Sequence, residues 1–147
     1  MTRQPTPNLH NGPRTNEREP DKETGGVVTF IVPIATKSTL NLREHWASRA
    51  RRVRAERKAT RWAAICLPRG TLDWLITPLA VTLTRISPRR LDSGDNLNAS
   101  MKAVRDEVAT WLDIDDADPS VRWDYGQEKG KPAVRVRIEP VRVEVKP

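Results

Sequence analysis

Apolar and polar residues alternate in several stretches of this chain. Val27 to Ile34 is apolar and β-branched around Phe30 and reads as a first strand, with Pro33 marking its end or an edge. Leu79, Val81 and Leu83 share one face of a second strand over Leu79 to Ile86, Thr82 and Thr84 take the other, and Ser87-Pro88 closes it. Val121, Trp123 and Tyr125 alternate with Arg122 and Asp124 in a third strand. Val134, Val136 and Ile138 alternate with Arg135, Arg137 and Glu139 in a fourth. Gly126 to Lys131, with two glycines, reads as a hairpin loop joining them. Pro140 breaks the fourth strand, and Val141, Val143 and Val145 resume the alternation as a short extra strand or pairing edge.

Between the strands the period changes. Trp46, Ala50, Val53, Ala59, Trp62 and Cys66, with Ile65, form an interrupted stripe, which predicts a long helix from Leu42 to Leu67 stopped by Pro68 and Gly70. Leu97, Met101, Val104, Val108 and Trp111 recur at spacings of four and three and predict an amphipathic helix over Asp95 to Leu112. Trp46, Trp62, Trp111, Trp123 and Cys66 then read as core residues, and Trp74, in a loop after Gly70, as exposed. The order β-α-β-α-β-β makes this an α/β protein with one small domain, a mixed sheet flanked by two main helices. Residues 1–25 are rich in Pro, Asn, Thr and charge without a periodic apolar run, so they read as a disordered tail ahead of a domain over 26–147.

Composition narrows the partners. The net charge of +7 and pI near 10.2 favour a polyanion, nucleic acid before anionic membrane. Cys66 is the single cysteine, so neither an intrachain disulfide nor a cysteine zinc site is available. With no apolar stretch of membrane-span length and no signal-peptide segment, a cytoplasmic protein is expected. His10 and His45 are the only histidines, so a metal site would be oxygen-rich and would suit Mg²⁺, with Mn²⁺ as a substitute. His45 itself reads as a packing or hydrogen-bonding residue.

The acids of this basic chain gather at two points. Asp92 and Asp95 lie at a strand-to-helix junction, where Gly94 permits an unusual backbone angle. Lys102 falls on nearly the same helical face as Asp95, about 10 Å along the axis, and leans back toward the acids. Asn98 and Asp106 share its stripe. Asp115, Asp116 and Asp118 follow the helix. A continuous helix over 95–112 would span about 27 Å. The second cluster therefore meets the first only if the chain turns back or a partner subunit supplies it. Carboxylates that hold Mg²⁺ beside a polyanion are what phosphodiester hydrolysis requires. The plainer reading makes Asp95 a helix cap, the second cluster a polar turn and Lys102 a solvated residue. Arg89 and Arg90, beside the acids, are candidates to hold the scissile phosphate. The arginine-rich helix, with Arg49 and Arg52, and the pair Lys129 and Lys131 are candidates for further DNA contacts.

The series Arg90-Leu91-Asp92-Ser93-Gly94-Asp95-Asn96-Leu97, Lys102-Ala103-Val104-Arg105-Asp106 and Asp115-Asp116 resembles the RusA family of Holliday junction resolvases. Val32-Pro33 and Asn41-Leu42-Arg43-Glu44-His45-Trp46 are similar to that family's opening strand and its Asn-Arg segment. The resemblance implies a small RusA-like homodimer, often of phage or prophage origin, that binds four-way DNA junctions and cuts two strands symmetrically with Mg²⁺. It places the metal-binding acids on Asp92, Asp95 and one of Asp115 or Asp116, and the essential lysine on Lys102. Two residues separate Asp92 from Asp95 where the family usually has one, and Lys102 lies a helical turn further along than the family's lysine. The competing expectation is a basic DNA-binding or junction-binding protein without catalysis.

Overall fold

The computed structural model describes residues 26–38, 43–92 and 94–141, apart from the side chain of Trp74. The tail over 1–25 and the extra strand beyond Val141 fall outside these residues. Strands β1 (Val28–Val32), β2 (Leu79–Ile86), β3 (Val121–Glu128) and β4 (Ala133–Pro140) form one mixed sheet in the order β1-β4-β2-β3. The helices are α1 (Trp46–Ile65), α2 (Asp95–Ser100) and α3 (Lys102–Leu112), with a short 3₁₀ helix at Thr71–Trp74. This is the expected α/β domain, with the second predicted helix divided in two.

The alternation along each strand puts its apolar residues on one face, and the register stacks them in rows. Val28, Ile138, Val81 and Trp123 form one row, and Phe30, Val136, Leu83 and Tyr125 the next. Leu97 of α2, Met101 between the helices, and Val104 and Val108 of α3 close over this face. Phe30 meets Trp111 edge-on, with ring centroids 5.8 Å apart. In the third row Val32 and Val134 are followed by Arg85 and Gln127. The inward face thus turns polar at the carboxyl ends of β2 and β3.

The expected hairpin between the last two strands does not form. β3 continues through Gly126 and Gln127 to Glu128, and β2 lies between β3 and β4, parallel to the first and antiparallel to the second. Burial explains the order. Val134, Val136 and Ile138 of β4 are fully buried and take an interior position, whereas the half-buried β3 takes the edge. Residues 129–132 therefore cross over the end of β2. Ser87 N donates to Glu128 O at 3.1 Å, and Gly130 N donates to Ser87 O at 3.3 Å. A Cβ on Gly130 would lie 2.9 Å from Ile86 Cγ2, so a side chain at the crossing would have to displace Ile86.

The first helix starts later than its apolar pattern suggests and faces differently. His45 caps it, its Nδ1 accepting from Ala47 N at 3.2 Å, and residues 43–45 are not helical. Its buried residues are Glu56, Thr60 and Ala64. Trp46 and Trp62 are 77% and 59% exposed, and Cys66 is exposed too, so none of the three belongs to the core. The cause is the partner: α1 packs on α3, where Glu107, with a side chain only 3% exposed, binds Arg57 Nε at 2.9 Å and Arg61 Nε at 2.8 Å. Those ion pairs turn a polar stripe inward. Trp111 and Trp123 do pack against the core.

Candidate functional site

The connection from β2 into α2, which carries Asp92 and leads to Asp95 at the start of α2, is held from three directions. Arg85, in the inward phase of β2, is buried. Its Nε donates to Thr36 Oγ1 (3.2 Å), its Nη2 to Thr36 O (3.2 Å) and its Nη1 to Arg89 O (2.9 Å). No carboxylate neutralises it among the described residues, and burial lowers its pKa, yet a guanidinium stays charged at any working pH. Gln127, in the same phase of β3, grips the Leu91 backbone twice. Leu91 N donates to Gln127 Oε1 at 3.0 Å, and Gln127 Nε2 donates to Leu91 O at 2.9 Å. At the start of α2, Ser38 Oγ donates to Asn96 Oδ1 at 2.7 Å. Gly94 precedes Asp95 at φ 93°, a conformation that excludes most side chains.

The predicted single helix breaks at Met101, with φ −110° and ψ 11°. Ser100 Oγ donates to Leu97 O at 2.7 Å and Met101 N to Asn98 O at 3.2 Å, a tightened turn that the fully buried Met101 anchors. Lys102 therefore opens a new helix and does not extend the face of Asp95. Its Nζ pairs with Asp106 Oδ2 at 2.9 Å on the exposed surface.

After α3 the chain does turn back. Asp113 adopts the left-handed conformation at φ 55°, and Ile114 N donates to Ala109 O at 3.0 Å, the Schellman closure of a helix. Arg105 then draws the loop onto α3. Its Nη2 donates to Asp116 O at 2.9 Å, its Nη1 to Tyr125 Oη at 2.9 Å, and its guanidinium lies 4.9 Å from the Trp123 ring centroid. The result is a groove of about 270 Å³ lined by Asn98, Lys102, Arg105, Asp106, Asp116 and Tyr125. A second, of about 390 Å³, is lined by Lys102, Asp106, Asp115, Asp116 and Arg57. The structure thus brings Lys102 together with Asp115 and Asp116. Neither groove is lined by Asp92 or Asp95, which stand exposed at the end of β2.

The acids of the second cluster differ in what they do. Asp118 Oδ1 accepts from Ser120 N at 2.9 Å and Ser120 Oγ at 2.8 Å, bonds that hold its carboxyl below the usual range and make it a turn residue. Asp115 Oδ1 accepts from Ala117 N at 3.0 Å. The side chain of Asp116 accepts no bond from any described residue, and the same holds for Asp92 and Asp95. Among the described residues no three of histidine, cysteine, aspartate and glutamate come together as a ready-made metal cage. Exposed, unbonded carboxylates do fit a hard cation such as Mg²⁺, which takes one or two of them and keeps several waters.

The basic candidates separate in the same way. Arg89, Arg90, Lys129 and Lys131 are all exposed and share one end of the sheet, because the 129–132 crossing is tied to Ser87. Arg49 lines a groove of about 230 Å³ with Lys102 and Asp106. Arg52 lines it too, but its guanidinium is occupied by Glu44 at 2.9 Å and Glu56 at 3.2 Å. The residues not foreseen are Arg85, Gln127, Arg105 and Glu107. Arg85 and Gln127 did carry a signal, since each is a polar residue in the inward phase of an apolar strand.

A scan against protein-family models and a search of the curated proteins find no match to this chain. No helix among the described residues is long and apolar enough to cross a membrane.

Proposed function

We propose that this protein is a Mg²⁺-dependent, structure-selective endodeoxyribonuclease that resolves four-way DNA junctions, acting as a homodimer of the RusA type. The observation that supports it most is the company around Asp92 and Asp95. Asp92 sits on a clamped loop after the carboxyl end of β2 and Asp95 at the start of α2, a common place for ligand sites in α/β sheets, at the end of the sheet that also carries the exposed cations Arg89, Arg90, Lys129 and Lys131. The ordered motif series through Lys102 and Asp116 supports it further.

In this reading Arg89 and Arg90 hold the non-bridging oxygens of the scissile phosphate. Lys129, Lys131 and Arg49 fix the flanking backbone. Asp92 and Asp95 hold the metal, with Asp116 as the candidate third carboxylate and Asp115 already engaged in its turn. Asp92 and Asp95 are the residues that would hold Mg²⁺, which, when bound, would lower the pKa of a water and offset the phosphate charge. The water oxygen bonds to phosphorus in line as the P–O3′ bond breaks, leaving a 5′-phosphate and a 3′-hydroxyl that takes up a proton. Lys102, paired with Asp106, lies in the groove of Asp116 and would steady developing charge only together with that carboxylate. Two copies supply two sites for opposing strands.

The rival is a junction-binding protein whose acids serve only the fold, and the separate seating of Asp92 and Asp95 from Asp116 favours it. Asp92→Asn and Asp95→Asn distinguish the two when cleavage and affinity are measured separately. The nuclease reading expects cleavage to fall by on the order of a hundredfold or more, with affinity kept or improved. Unchanged cleavage overturns it, and equal loss of both points instead to a folding defect, which circular dichroism of the variant identifies.

A further inference from the structure

The outward stripe of α1 carries a second surface. Arg54, Lys58, Arg61 and Ile65, spaced three or four residues apart, line an open groove of about 570 Å³ with Arg57 and Trp62. Trp62 and Ile65 are 59% and 58% exposed. A large indole left in water among cations is an uncommon use of tryptophan. The groove has no acidic lining residue. Arg57 and Arg61 share the single carboxylate of Glu107, and Arg54 and Lys58 pair with no carboxylate among the described residues. The lining is therefore net cationic around an open π face.

The complement is a flexible polyanion that offers flat π faces of its own. Duplex DNA presents phosphates but keeps its bases stacked inside, and an acidic peptide would meet the cations while leaving the indole without a planar partner. Single-stranded nucleic acid satisfies both. The groove also leads somewhere, since Arg57 lines the adjoining groove that holds Lys102, Asp106, Asp115 and Asp116.

We propose that this face of α1 binds single-stranded nucleic acid, with a base stacked on Trp62 and phosphates held by Arg54, Lys58 and Arg61. The binding needs no nuclease chemistry and stands or falls independently of that reading. Fluorescence anisotropy of the full chain with labelled oligothymidylate, oligouridylate, an abasic oligonucleotide of equal length and a duplex tests it. Trp62→Ala weakens binding of the base-bearing single strands about tenfold, Trp62→Phe restores most of it, and the abasic strand is indifferent to either change. The tighter of the two homopolymers identifies the natural class. Lys58→Ala lowers the salt slope for all single strands. Unchanged oligonucleotide binding by Trp62→Ala overturns the proposal, as does an equal loss on abasic and duplex DNA. A wild-type dimer that Trp62→Ala turns into a monomer also overturns it, by making this face a contact between copies.

Discussion

Gln127→Leu tests whether the candidate loop is held as described. The substitution keeps the backbone pairing of β3 with β2, replaces the amide by a branched apolar group one atom shorter, and removes both bonds to Leu91, at 3.0 and 2.9 Å. Each is a neutral bond worth about 1 kcal/mol net. Leu91 is half-buried, so water reaches the freed groups and the loss stays at about 1–2 kcal/mol. That free energy opposes local opening of the loop, so the open population rises about 5- to 30-fold. Hydrogen exchange read at the Leu91 amide should accelerate by that factor, while amides in the middle of β2 and β4 keep their protection. Junction cleavage and affinity should change little, since the closed loop remains the majority form and the phosphate-binding cations remain. An unchanged exchange rate at Leu91 would show that Gln127 does not hold the loop, and the positioning argument for Asp92 would fail with it.

The ion pairs between α1 and α3 make a second prediction. Burial pushes the Glu107 carboxyl up, but its bonds to Arg61 and Arg57 outweigh that and hold it below its ordinary value of 4.5. A depressed carboxylate stabilises the fold above its unfolded pKa, and that contribution is lost as pH falls through the folded one. Glu107→Gln should cost about 1–2 kcal/mol at neutral pH, a figure kept low because both arginines are partly exposed. In urea denaturation the gap to wild type should narrow only as pH falls below 4.5 and through the lower folded value, and a pH-independent gap would contradict the assignment. Gly130→Ala should destabilise by about 1–2 kcal/mol through its contact with Ile86, and Ile86→Ala should relieve most of that in a double-mutant cycle. Leu83→Ala, at a fully buried position, should cost about 2–5 kcal/mol in the same assay, and a smaller loss would place the core elsewhere.

Strands were legible because the alternation of each survives into the structure, down to which residues face inward. Their order was not. A short glycine-bearing link between two alternating runs favours a hairpin, and only the comparison of how completely β3 and β4 are buried sends β2 between them. The face of α1 was misread for a similar reason. Trp46, Trp62 and Cys66 weigh heavily in an apolar stripe, but the stripe that turns inward is chosen by Glu107, fifty residues from Arg57 in the chain. The break at Met101 has no glycine or proline to announce it. The candidate acids were singled out by pattern, and the chain does turn back at Asp113 and Arg105, but without joining the two clusters. The turn delivers Asp116 to Lys102, and Asp92 and Asp95 remain on a separate, clamped connection.

The most direct test is incubation of the purified protein with a mobile four-way junction and a matched linear duplex, in Mg²⁺ or in EDTA. The account predicts paired, symmetric nicks in the junction alone, and only with Mg²⁺. Junction binding without cleavage in either Mg²⁺ or Mn²⁺ would contradict it and leave a structural role for Asp92, Asp95 and Asp116.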